Sequence, residues 1–145
     1  MKISIETLKK IIAESKNDLT LDELLVRANI GEGDIDGEDY EVLREWTSVL
    51  VNEALDAVLM RSTFCSEEVE GGSGMKISIE TLKKIIAESK NDLTLDELLV
   101  RANIGEDDID GEDYEVLLEW TSVLINEALD AVLMISAFCS EEVEG

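Results

Sequence analysis

The chain contains no proline and no histidine, and aromatic side chains make up only 4% of it. Without proline, no position loses its backbone donor or clashes with the preceding helical turn, so long helices can run without a break. Without histidine there is no Ser-His or Cys-His nucleophilic pair and no two-histidine metal site. Glycine-rich phosphate loops are missing too, and the many carboxylates lie in polar strips where they have no special acid-base role. Catalysis, metals and cofactors are therefore not expected. Basic residues are few, 12 Lys and Arg against 35 Asp and Glu, for a net charge of −23. Such a field repels phosphate backbones and anionic lipid, because binding to either depends on clustered cations. Direct nucleic acid binding is not expected, and by charge alone the favoured partners are basic proteins or cations. No apolar run approaches the roughly 20 residues of a membrane span, and Met1-Lys2-Ile3 does not open a signal peptide, so no membrane association and a cytoplasmic location are expected.

What the chain does have is itself, twice. Residues 75–145 repeat residues 1–71, differing only at Gly33/Asp107, Arg44/Leu118, Val51/Ile125, Arg61/Ile135 and Thr63/Ala137. Residues 72–74 form a Gly-Ser-Gly linker, which with Gly71 makes a Gly-Gly-Ser-Gly tether. A duplication that has drifted drifts across surface and loops, whereas here even the initiator-like methionine persists as Met75. The repeat reads as an engineered fusion of one small protein with itself, divided into copy 1 (1–71), linker (72–74) and copy 2 (75–145). Each copy carries a single cysteine, Cys65 or Cys139, so no disulfide closes within a copy; the two could bridge the copies under oxidising conditions or remain free thiols.

Leu, Ile, Val, Ala, Glu and Asp dominate, which is the composition of helices. Ser4, Thr20 and Asp36 each precede an apolar-periodic stretch and are placed to cap it. The pairs Ile3 with Leu8, Leu19 with Leu24 and Ile35 with Tyr40 have the spacing of hydrophobic staples, and Thr20 with Glu23 that of a capping box. Gly31 is placed to stop the second helix in a left-handed cap. Three helices per copy follow, over 5–16, 21–30 and 37–61.

The first two are ordinary amphipathic helices. In the third, steps of about 100° per residue put Tyr40, Leu43, Trp46, Leu50, Ala54, Ala57 and Val58 on one side, with Val42, Val49 and Met60 on one flank and Val51 and Leu55 on the other. Only Glu38, Glu41, Glu45, Ser48, Asn52 and Asp56 form a polar strip. Two short helices cannot cover so wide an apolar arc, and a unit of this size tends to be marginal alone. The expectation is an all-α helical bundle: two tandem three-helix units packed as a single-chain pseudo-twofold dimer, with helices 37–61 and 111–135 against each other. Trp46, Leu50, Ala54 and Val58 of copy 1 and Trp120, Leu124, Ala128 and Val132 of copy 2 are the expected copy-to-copy interface. The tether reaches about 14 Å when extended. The stretch 62–70, polar and aperiodic, can add to it.

Glu32, Asp34, Asp36, Glu38, Asp39 and Glu41 crowd the loop before the long helix, and with Gly37 they resemble a calcium loop of the EF-hand type. The closing bidentate glutamate would fall at Leu43, and at Leu117 in copy 2, so a solvated helix start that complements the helix dipole fits better.

Purpose is then sought in the five differences, four of which make copy 2 more apolar. Leu118, Ile125, Ile135 and Ala137 form the expected partner-binding stripe. The function expected is that of a non-enzymatic protein-binding module, an acidic helical homodimer fused so that one half alone could be altered. Two alternatives stay open. The differences could instead repack the interface in a fusion made for stability, or the parent could be an acidic mimic of nucleic acid that inhibits a DNA-binding protein.

Overall fold

The computed structural model describes residues 1–68 and 74–140, apart from the side chains of Glu32, Glu68 and Glu106. Linker residues 72 and 73, the preceding Gly71 and the last five residues lie outside that description. The protein is all-α with one small sheet. Each half gives two short helices and one long one: α1 (Ile5–Asp18), α2 (Leu21–Arg27) and α3 (Gly37–Phe64), then α4 (Ile79–Asp92), α5 (Leu95–Arg101) and α6 (Gly111–Cys139).

The short helices begin where capping chemistry starts them. Ser4 Oγ accepts from the Thr7 amide at 3.0 Å and Thr20 Oγ1 from the Glu23 amide at 3.3 Å. The second half repeats both caps at Ser78 and Thr94. Asp36 departs from expectation. It holds the N-cap position of α3 with extended backbone, but its side chain makes no capping hydrogen bond, and neither does that of Asp110 at α6. Its carboxylate therefore acts at the helix start through charge alone.

The stop of α2 also differs. Asn29, not Gly31, adopts the left-handed conformation, at φ 63°. The Ile30 amide donates to Leu25 O at 2.9 Å and the Asn29 amide to Val26 O at 3.0 Å, the paired bonds of a Schellman ending. Asparagine tolerates this backbone better than most residues that carry a side chain, so the chain turns two residues early. Gly31 has extended backbone, and its amide donates to Asp34 Oδ2 at 2.9 Å to open a 3-10 turn over Glu32–Asp34.

Both long helices outrun the expected 37–61 and 111–135, ending at Phe64 and Cys139. Beyond α3, the stretch expected to be aperiodic holds a two-residue strand, β2 (Glu67–Glu68). It joins β1 (Lys2–Ser4) and β3 (Met75–Ser78) in a sheet of order β1-β3-β2. β1 and β3 pair antiparallel with Ile3 opposite Ile77, both buried, so the start of one half bonds to the start of the other.

The buried apolar side chains form one cluster drawn from both halves. α3 and α6 make the most extensive helix pair, and the remaining contacts are reciprocal: α1 meets α6 as α4 meets α3, and α2 meets α6 as α5 meets α3. α2 touches α6 of the other half more than it touches α3 of its own. Neither half thus encloses its own long helix. The polar strip faces outward, with Glu38, Glu41, Glu45, Ser48 and Asp56 exposed.

Among the described residues α6 is the one helix long and apolar enough to cross a membrane, with a mean hydropathy of 1.6 over its most apolar 18 residues. The expectation from uninterrupted apolar runs missed this, because its remaining charges are spaced out while the arginines at positions 44 and 61 of the first half are Leu118 and Ile135 here. In the structure α6 packs against α3, α1, α2, α4 and α5.

Candidate functional site

Of the residues assigned from sequence to the contact between halves, Leu50, Ala54, Val58, Leu124, Ala128 and Val132 are fully buried in the common core. Burial of a leucine or valine side chain contributes about 1.5–3 kcal/mol. Trp46 and Trp120 lie half-buried against that core. The Trp46 Nε1–H donates to Asp113 Oδ2 at 3.4 Å, and the Trp120 Nε1–H donates to Asp39 Oδ2 at 3.4 Å, each reaching into the opposite half.

The residues proposed as one apolar stripe divide between surface and core. Leu118 is 51% exposed and Ile135 37%, whereas Ile125 is 2% exposed, as is Val51 in the first half. Ala137 is half-buried and packs against the core. Ile125 thus adds a methylene inside the protein, while Leu118 and Ile135 place apolar side chains on the surface at separate points of α6. Helical phase does not separate them, since at 3.6 residues per turn positions 118 and 125 differ by only about 20°; what differs is place along α6, with Ile125 at its middle and Leu118 and Ile135 towards its two ends. The Gly33/Asp107 difference costs no contact, since a Cβ built at Gly33 meets nothing within 4 Å.

The clearest concavities come in a matched pair. Leu25, Val26, Ile30, Ile35 and Tyr40 line a cleft of about 540 Å³ between α2 and the start of α3. Leu99, Val100, Ile104, Ile109 and Tyr114 line its counterpart of about 520 Å³. Volumes of this order match sites for small ligands or a few side chains. At each rim a tyrosine hydroxyl donates to an aspartate, Tyr40 to Asp22 and Tyr114 to Asp96. Both tyrosines pack on the core and also wall these clefts.

A third cleft, of about 400 Å³, lies where the first turns of α3 and α6 meet. It is lined by Val42 and Val116 with Glu38, Asp39, Glu41, Glu112, Asp113 and Glu115. Among the described residues no group of three His, Cys, Asp or Glu side chains is placed to hold a metal ion. Cys65 and Cys139 are both exposed free thiols.

One constellation escaped sequence reasoning because its members belong to different halves. Arg61 of α3 crosses to α4 of the second half, where its Nη1 donates to Ser89 Oγ at 2.9 Å and lies 3.7 Å from Asp92 Oδ2. At the matching place in the first half, Ile135 faces Ser15 and Asp18 of α1 across a cleft of about 180 Å³. Ser15 Oγ is buried without a hydrogen-bond partner among the described residues. The only sequence signal was the Arg61/Ile135 difference itself.

No protein-family model matches the chain, and neither a curated protein nor a solved structure is found to be similar to it.

Proposed function

We propose that the chain is an engineered single-chain form of a small acidic homodimer, with copies 1–71 and 75–145 related by a pseudo-twofold axis, and that it works as a non-enzymatic protein-binding module. The observation that carries this reading is Leu118. Half of that side chain faces solvent where the first half has Arg44, and no buried contact explains the change. Reciprocal helix contacts and the paired tryptophan bonds support the dimer.

Exposed leucine and isoleucine on one half only give that half two separate apolar anchor points with no copy on the other, and a few such anchors carry most of the energy of a helix-mediated interface. The matched clefts beside Tyr40 and Tyr114 offer two equivalent further seats. The test is peptide selection against the intact protein, with affinities of the selected peptides then measured for Leu118→Arg and Ile135→Arg. Each reversion should weaken binding at least tenfold. Unchanged affinity in both variants would remove the α6 surface from the proposal.

A second reading has an observation of its own. Six carboxylates gathered at the start of α3 and α6 make one acidic pole, as an imitation of nucleic acid requires. Binding of a basic DNA-binding protein through that pole should collapse between about 50 and 200 mM salt, whereas apolar binding through α6 should persist.

A further inference from the structure

The two cross-half sites around positions 61 and 135 form an internal control. The cleft at Ile135 is lined by Ile11, Glu14, Ser15, Asp18, Leu19, Glu23, Arg27 and Ile135 itself. Every one of these has an identical residue at the same place in the other half except Ile135, whose counterpart is Arg61. In that other half, a guanidinium donates to the Ser89 hydroxyl and lies beside the Asp92 carboxylate. The first half keeps the acceptors and lacks the donor. Ser15 is 2% exposed with no hydrogen-bond partner among the described residues. Glu14, Asp18 and Glu23 outnumber the single cation Arg27, which itself pairs with Glu23 at 3.4 Å.

We infer that the cleft between α1, α2 and Ile135 is a binding site for a guanidinium group brought from outside the chain, as the arginine side chain of a bound peptide or protein. The chemistry follows from the occupied twin. A guanidinium presents several N–H donors in a rigid fork and can meet a hydroxyl and a carboxylate at once. Isoleucine at position 135 leaves an apolar wall along which the methylene stem of an incoming arginine can lie, as such stems do on apolar surfaces. An ammonium is a compact, strongly hydrated charge without this geometry and should bind less well. The inference is independent of whether the Leu118 surface binds a protein.

The experiment is a heteronuclear NMR titration of the intact chain with ethylguanidinium chloride, with ethylammonium chloride as control at matched ionic strength. A blocked Ala-Arg-Ala peptide is titrated in parallel. Ethylguanidinium should shift the amides of Ser15 and Asp18 and the methyls of Ile135 in a saturable manner, with a dissociation constant on the order of millimolar. Ser89 and Asp92 should not respond. Ethylammonium should bind about tenfold more weakly.

Two variants make the result specific, and each introduces a residue that the opposite half already accommodates. Ile135→Arg should abolish the response, because the chain then supplies its own guanidinium. Arg61→Ile should create a second responsive site at Ser89. Equal shifts in both halves of the unaltered chain, a linear response, or a response that survives Ile135→Arg would overturn the site. Saturation by ethylguanidinium but not by the peptide would overturn its assignment to a partner's arginine.

Discussion

Identical substitutions at Ser15 and Ser89 should have opposite effects on stability. The two serines hold the same position in α1 and α4, and both are buried. Ser89 Oγ accepts from the Arg61 guanidinium at 2.9 Å, while Ser15 Oγ is without a partner among the described residues. A hydrogen bond to a charged group contributes about 1.5–3 kcal/mol when buried. The Arg61 side chain is 32% exposed, so solvent screening reduces this to about 1 kcal/mol. A buried hydroxyl without a partner costs about 1–3 kcal/mol, which alanine removes. Alanine also favours the helix by a few tenths of a kcal/mol, but equally at both sites, so propensity cancels in the comparison. Ser15→Ala should stabilise by about 1 kcal/mol and Ser89→Ala should destabilise by a similar amount, a separation of about 2 kcal/mol. Urea unfolding of both variants in the full chain measures this directly, provided the slope against denaturant is unchanged. Shifts of equal sign and size would refute the cross-half pairing of Arg61 with Ser89.

Four further outcomes follow from other parts of the structure. Ile125→Val removes one methylene from the core and should cost about 1 kcal/mol in thermal or urea unfolding. Leu118→Arg changes an exposed position and should alter stability by less than about 0.5 kcal/mol; a larger loss would mean that Leu118 is held by the fold. Ser136→Ala replaces a fully buried hydroxyl with no partner among the described residues and should raise the unfolding midpoint by about 2–4 °C, read by calorimetry. A protease site placed in the tether should, once cut, leave the halves associated but make the unfolding midpoint depend on protein concentration; independence from concentration would show that each half folds alone.

The helices were legible because several local signals agreed at each end: Ser4 and Thr20 had capping side chains, staples flanked them, and apolar spacing followed. The need for a second long helix was legible from the width of the α3 arc, which no residue nearby in sequence could cover. The strands were not, because two to four residues cannot display alternation, and the partner of β1 lies in the other half. Asn29 gave a weaker stop signal than Gly31, yet geometry required the turn where asparagine stood. The candidate site was the least legible. Positions 118, 125 and 135 were grouped as one stripe, but angle around a helix does not reveal which stretch of its length the other elements cover, and of the three only Ile125 is covered. The Arg61/Ile135 difference gave no sign that the Arg61 guanidinium reaches across to Ser89, which lies in the other half.

The sheet bears on how the halves are joined. β2 runs antiparallel to β3, and the tether lies between them in sequence. The Glu67–Lys76 and Glu68–Met75 pairs bring the chain just after α3 beside the start of the second half. The carbonyl of Met1 accepts from the Ile79 amide at 3.0 Å, which anchors the first residue at the same sheet. Opening the chain at the tether would thus leave the β2–β3 and β1–β3 pairings to hold the two halves at this sheet without a covalent join between them.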